Sequence, residues 1–302
     1  MEILNNELGQ ALNTKQVSEY LGLDPKTVRK YYRELGGIRL GRHYRFFEKE
    51  ICNAVQKQKW NEMDCPSEEG RGTTEQSLSH EEGGNGLGSQ NAAKARERMV
   101  KEQIAGRGIK DPAVLEAMRI VPRELFVPER YQRYAYDDTP LPIPGKQTIS
   151  QPYVVALMIT QLDLNPGDCV LEIGTGSGYA AAILSQIVDE VHTVERIQEL
   201  ANYARQRLDF LGYDNVYVHH GDGTLGWTEA APYDGIVVAA GGPSIPKSLK
   251  YQLAMNGRLI MPVGANERRQ QLIRVTRISE ESFQQLDLGA VAFVPLIGEE
   301  GW

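Results

Sequence analysis

The chain has 302 residues, 41% of them apolar and 24% charged, with a net charge of −7. That length suits about two domains whose cores need no covalent staples. Three cysteines (Cys52, Cys65 and Cys169), odd in number and far apart, argue against a disulfide framework or structural zinc, and no apolar run approaches the ~18 residues of a membrane-spanning helix. The opening residues MEILNNELGQ carry neither a basic region nor a long apolar one, so no secretory signal is expected and a reducing cytoplasm is.

The charge is segregated. Residues 1–60 hold 11 Lys and Arg against 7 Asp and Glu, residues 61–92 hold 1 against 7, and residues 93–302 hold 21 against 26. This predicts a basic head (1–60), an acidic linker (61–92) and a mildly acidic body (93–302). The linker is rich in Gly, Ser and Glu, with Met63, Leu78 and Leu87 its only large aliphatics, so it buries too little apolar surface to offset the entropy of ordering.

In the head, a short helix is predicted over Thr14–Leu21, with Val17 and Leu21 on one face. Gly22 ends it, Asp24-Pro25 starts a second helix, and Val28, Tyr31 or Tyr32, and Leu35 form its apolar stripe. Ile38–Leu40 and His43–Phe46 alternate about Gly41-Arg42 as a hairpin, or wing. Lys26, Arg29, Lys30 and Arg33 lie opposite the stripe, and Arg42 and Arg45 lie on the wing. A helix so charged suits a major groove, with wing arginines on phosphates. The head resembles the winged helix-turn-helix modules of bacterial MerR-type and excisionase-type proteins, which implies duplex DNA as its partner. A solvated basic face on a protein-binding adaptor is the competing reading.

In the body, Cys169–Ile173 reads as a strand, Gly174-Thr175-Gly176-Ser177-Gly178 as a turn, and Tyr179–Leu184 as a helix. This is the first βα unit of a doubly wound sheet, with a ligand approaching the glycines. Val191–Val194 forms a second strand that ends at Glu195, an acid placed for ribose hydroxyls. A helix near 197–211 follows, then a strand at Val216–Val218 leading to Asp222 and Gly223, and strands at Gly235–Ala240 and Gly257–Gly264. The fold class expected is α/β, a Rossmann-like doubly wound and mainly parallel sheet.

The glycine spacing is Gly-x-Gly-x-Gly, and Tyr179 stands where a dinucleotide-binding turn has its third glycine. Glu172-x-Gly174-x-Gly176-x-Gly178 instead resembles motif I of the class I S-adenosylmethionine methyltransferases. That resemblance implies that Glu172 lies near the methionine end of the cofactor, Glu195 on ribose and Asp222 near adenine, with Thr175, Ser177 and Gly223 in the same site. Two further segments, Tyr136–Pro152 with Gln147-Thr148-Ile149-Ser150, and Val291–Gly298, resemble the protein-L-isoaspartate O-methyltransferases from about residue 94 to Trp302. The implied reaction moves a methyl group from S-adenosylmethionine to the free carboxylate of isoaspartyl residues in damaged proteins. The resulting ester collapses to a succinimide. Gln147, Thr148 and Ile149 are then expected to bind substrate, and Ser150 to be catalytic. Pro144 and Lys146 stand where the family commonly has glycine.

A carboxylate is already ionised at pH 7, so this chemistry needs no general base and no metal. It needs positioning, for which a neutral hydroxyl suits better than a tight arginine pair. Ser150 lies just ahead of a predicted helix from Pro152 to Leu164, where it either caps the helix or holds the substrate anion. Asp137-Asp138 is read as a structural turn, Tyr131, Tyr134 and Tyr136 as packing, and Cys169 as a buried apolar residue. Three readings stay open: methylation of another carboxylate, an S-adenosylmethionine-sensing DNA-binding regulator, and an NAD oxidoreductase, the last opposed by Tyr179.

Overall fold

The computed structural model describes residues 11–14, 17–18, 28–29, 32–33, 35–40, 43–47, 50–51, 89–266 and 269–302. The chain forms two compact units, one of Met1–Asn85 with Phe210–Gly212 and one of Gly86–Asp209 with Tyr213–Trp302. Among the described residues, no helix is long and apolar enough to cross a membrane.

The head contains β1 (Ala11–Asn13), β2 (Ile38–Leu40) and β3 (His43–Phe47) in the order β1-β3-β2. The expected hairpin is present, with Ile38 opposite Arg45 and Leu40 opposite His43. β1 was not expected, because three residues are too few to show alternation. Val17, Val28 and Leu35 of the apolar stripes are fully buried together with Phe46 and Ile51, and Leu12 and Tyr32 pack on them. Helical backbone is seen at Val17–Ser18 and Val28–Arg29. Leu21, Lys26, Lys30, Tyr31, Arg42 and the linker up to residue 88 lie outside the described residues, as does the side chain of Arg45.

The body begins with α1 (Ser89–Arg98), so the last four residues of the stretch read as linker are helical. It runs on through a wider turn, Met99–Ile104, that buries Met99, Val100 and Ile104. α2 (Pro112–Ile120) has proline in its first turn, and its cap Asp111 accepts from the Ala113 and Val114 amides at 2.9 and 3.2 Å. A small hairpin, β4 (Leu141–Ile143) and β5 (Gln147–Ile149), precedes α3 (Pro152–Leu162).

The alternating part follows as β6 (Cys169–Ile173), α4 (Tyr179–Leu184), β7 (Glu190–Glu195), α5 (Gln198–Leu211), β8 (Val216–His220), β9 (Tyr233–Val238), α6 (Lys247–Tyr251), β10 (Leu253–Asn266), β11 (Arg269–Arg277) and β12 (Phe283–Val291). One seven-stranded sheet has the order β12-β11-β10-β9-β6-β7-β8. The pairs from β10 to β8 are parallel, and β11 and β12 add antiparallel at one edge, so the sheet is mixed. β6 lies inside the sheet, with β7 and β8 on one side and β9 and β10 on the other. The chain therefore reverses its direction of growth between β6 and β9, and a crevice opens at their carboxyl ends. Leu171, Ile173, Ile236, Val238 and Leu259 form the core below it.

Candidate active site

The glycine turn after β6 owes its path to three left-handed residues, Gly174 (φ 92°), Gly176 (φ 54°) and Gly178 (φ 87°), a region other L-residues enter only with strain. Two glutamates fix the turn. Glu195 accepts from the Gly176 amide and from the Ile197 amide, each at 3.0 Å, so it ties the turn to the end of β7. Each of its oxygens keeps a second lone pair for a ligand hydroxyl. Glu172 is 1% exposed and accepts from the Thr193 hydroxyl at 2.6 Å. The Thr193 hydroxyl also contacts the Thr175 hydroxyl at 2.7 Å, which links the glycine turn to β7. Burial pushes the Glu172 carboxyl up to about 8; the Thr193 hydrogen bond opposes this and the charge of Glu195 adds to it. A buried acid with so little compensation fits a cationic ligand, which would restore its charge.

The β4–β5 hairpin also contributes to the site, with Leu141 opposite Ile149 and Ile143 opposite Gln147. Its turn needs two left-handed residues, Gly145 (φ 70°) and Lys146 (φ 57°). Lys146 thus holds a backbone conformation suited to the glycine common there. Ser150 follows, and it does not cap α3: Gln151 occupies that position without a side-chain bond. The cap comes from Asp138, whose Oδ1 accepts from the Tyr153 amide at 3.0 Å. Its Oδ2 accepts from Arg107 at 2.6 Å and from Gln151 Nε2 at 3.3 Å. Arg107 in turn lies over the Tyr153 ring at 3.4 Å. The Ser150 carbonyl accepts from Arg123 Nη2 at 2.8 Å, while its hydroxyl has no hydrogen-bond partner among the described residues.

A single cleft gathers Gln147, Thr148, Ile149 and Ser150 on one wall, Glu172, Gly174, Thr175, Gly176 and Ser177 on the floor, and Glu195 and Gly223 beside them. Two expected site residues stand elsewhere. A Cβ on Gly178 would lie 3.1 Å from the Leu208 side chain, so this glycine serves the contact of the turn with α5 and does not line the cleft. Asp222 is also off the lining. Its Oδ1 takes the Thr224 amide and hydroxyl at 2.9 and 2.7 Å, and its Oδ2 takes the Glu299 amide at 2.7 Å. Burial works against its charge, but these hydrogen bonds outweigh it and hold the carboxyl below its ordinary range. Asp222 is a clamp on the C-terminal segment. That segment supplies the far wall, Phe293–Ile297, fixed where the Gly241 amide donates to the Val294 carbonyl and the Leu296 amide to the Gly241 carbonyl, both at 2.8 Å.

Sequence reasoning missed Arg123, Asp138 as a cap, and the walling role of residues 293–297. Arg123 carried a faint signal, the one cation among the largely apolar residues Ile120–Phe126, with Glu124 beside it. Of the tyrosines read as packing, Tyr136 is 5% exposed and donates to the Glu124 carboxylate, but Tyr134 is 39% exposed. Cys169 is half-buried, not buried, and its sulfur lies within 4.8 Å of ligand atoms of Glu190 and His192. This group, the one among the described residues with donors close enough for a metal, sits at the amino ends of β6 and β7, away from the cleft. Burial pushes its thiol up to about 11, and His192 is engaged with Glu190 and His219 at 3.0 and 2.9 Å. Of the basic head residues, Arg29 and Arg33 are exposed, and Arg33 donates to the Tyr32 hydroxyl.

Residues 94–301 match the family described as Protein-L-isoaspartate(D-aspartate) O-methyltransferase (PCMT). The chain is 61% identical over 207 residues to protein-L-isoaspartate O-methyltransferase 2 of Pelobacter propionicus, a match covering 68% of this chain and 92% of that protein. It is 59% identical over 204 residues to the enzyme of Rhodopseudomonas palustris, covering 68% and 94%. Among solved structures, a protein-L-isoaspartate O-methyltransferase matches with a TM-score of 0.63 at 30% identity, over 68% of this chain and 67% of that one. A Plasmodium falciparum PCMT in complex with S-adenosyl-L-homocysteine matches with a TM-score of 0.59 at 27% identity, over 67% and 98%. With its mixed methyltransferase sheet and its glycine-floored cleft, this chain belongs to the protein-L-isoaspartate O-methyltransferase family.

Proposed function

We propose that the body repairs damaged proteins by methylating the free carboxylate of isoaspartyl residues, with Ser150 holding that carboxylate. The observation that carries the residue assignment is the Ser150 hydroxyl, without a hydrogen-bond partner among the described residues, sharing one cleft with the glycine turn. S-adenosylmethionine supplies a methyl group made electrophilic by the sulfonium. The left-handed glycines, Glu195 and buried Glu172 suit a nucleoside that also bears positive charge. The rest is done by the chain's own groups. The Ser150 hydroxyl donates one neutral hydrogen bond to one carboxylate oxygen and leaves the other free to attack. Gln147, Thr148 and Ile149 extend the substrate along β5. The wall at 293–297 keeps bulk water from the reacting pair. The test is turnover of an isoaspartyl peptide against the matched aspartyl peptide, with Ser150→Ala alongside wild type.

For the head we propose duplex DNA binding through Lys26, Arg29, Lys30, Arg33, Arg42 and Arg45. The paired β2–β3 hairpin and the exposed Arg29 and Arg33 support this reading. Filter binding by the full chain should show an affinity that falls steeply with salt. A salt-independent or absent signal with every duplex tried removes the proposal.

A further inference from the structure

We propose that Arg123 is a positioning residue that sets the Ser150 turn against the glycine turn, and so governs the rate of methyl transfer. This rests on the assignment of Ser150 to the substrate carboxylate.

Arg123 lies at the start of a short 3-10 turn (Arg123–Phe126) and is 0% exposed. Its guanidinium reaches three places at once. Nε donates to the Ala135 carbonyl at 2.7 Å and Nη2 to the Ser150 carbonyl at 2.8 Å. These two carbonyls bracket the active-site loop, so one side chain holds both ends. On its other side the guanidinium lies 4.7 Å from the centroid of the Tyr179 ring. Tyr179 directly follows the glycine turn and opens α4. Arg123 is thus a joint between the acceptor half of the cleft and its donor half.

The joint is an expensive one. Nη1 and the buried Tyr179 hydroxyl make no hydrogen bond of good geometry with any described residue, and their mutual attraction offsets the burial of the guanidinium only in part. Burial lowers the proton affinity of the guanidinium. A residue needed only to fill space would be apolar, since replacing a buried ion by packed carbon is often neutral or stabilising. What carbon cannot do is hold two carbonyls in the fixed plane of a guanidinium fork, and a lysine holds them only loosely. The loop also has anchors that do not involve Arg123: the Arg107–Asp138 pair, the β4–β5 pairing, and Gln103 Nε2 on the Tyr136 carbonyl at 3.0 Å. Loss of Arg123 should therefore loosen the placement of Ser150 and leave the fold standing.

The experiment compares Arg123→Met, Arg123→Lys, Ser150→Ala and the Arg123→Met/Ser150→Ala double variant in the full chain. It records steady-state kinetics on an isoaspartyl peptide, S-adenosylhomocysteine affinity by calorimetry, and thermal unfolding. The expected result is a kcat at least tenfold lower in Arg123→Met, with peptide KM and cofactor-product affinity within threefold of wild type, and a partial recovery of kcat in Arg123→Lys. Because Arg123 acts through Ser150, the double variant should be no slower than Ser150→Ala alone. Wild-type kcat in both Arg123 variants, or losses that multiply in the double variant, would overturn the proposal. Should the methionine variant not fold, Arg123→Lys decides the matter: a lowered kcat at an unchanged Tm supports the joint, and a wild-type kcat refutes it. A fully active Ser150→Ala sinks the underlying assignment, and is told apart from failure of this proposal because it is read on that variant alone.

Discussion

Glu172 is the residue whose environment says most about its ligand. Its carboxyl is pushed up to about 8 by burial, against an ordinary value near 4.5, so it is mostly protonated at pH 7 in the free protein. A folded-state value raised above the unfolded one means that its contribution to stability is full below about pH 4.5. That contribution is lost as pH rises through about 8. A cationic ligand reverses the balance by pulling the proton off. S-adenosylmethionine binding at pH 7 should therefore release close to one proton, and affinity should rise with pH up to about 8 and then level. Calorimetry in two buffers of different ionisation enthalpy measures this, and in Glu172→Gln the proton release should disappear. Lys146 makes a second prediction at the same scale. Its φ of 57° costs roughly 1 kcal/mol in a non-glycine residue. Lys146→Gly should leave stability unchanged or raise it by up to ~1 kcal/mol in urea unfolding, the gain being trimmed by the greater chain entropy of glycine.

At the scale of elements, α3 is started by a carboxylate from elsewhere in the chain. Asp138 caps it through the Tyr153 amide and binds Arg107 and Gln151 as well, so Asp138→Ala should cost about 1–3 kcal/mol in the same assay. Gly178→Ala should also destabilise, because the new Cβ would meet Leu208 at 3.1 Å on a left-handed backbone. The two cases show what was legible in the sequence. The alternating strands and helices of 169–264, the glycine turn and the Gln147–Ser150 segment have local signatures, and these elements appear where those signatures lie. The cap of α3 is not local: Ser150 had the right spacing to be one, but a residue twelve positions earlier does the work. Gly178 had motif spacing but serves a contact with α5 that only tertiary packing reveals. Asp222 sits at the expected strand tip yet spends its carboxylate on Thr224 and Glu299, a partner 77 residues away. β12 was silent because most of its residues are exposed, so it carries no apolar alternation.

For the whole molecule, the relatives from Pelobacter propionicus and Rhodopseudomonas palustris described above match the body along more than nine-tenths of their own length. If the body of this chain acts alone, as that coverage suggests for the relatives, removal of residues 1–85 should leave kcat/KM on isoaspartyl peptides within about twofold while removing any affinity for duplex DNA. The claim on which everything else depends is that the Ser150 hydroxyl steers an isoaspartyl carboxylate toward a methyl donor seated on the glycine turn. Its most direct test is methyl transfer to an isoaspartyl peptide by wild type and Ser150→Ala, with S-adenosylhomocysteine affinity measured on both. Loss of one hydrogen bond to a charged acceptor is worth about 1.5–3 kcal/mol, or roughly 10- to 160-fold in rate. In Ser150→Ala kcat should fall by that factor with S-adenosylhomocysteine affinity unchanged; a variant that turns over at the wild-type rate would refute the steering role of Ser150.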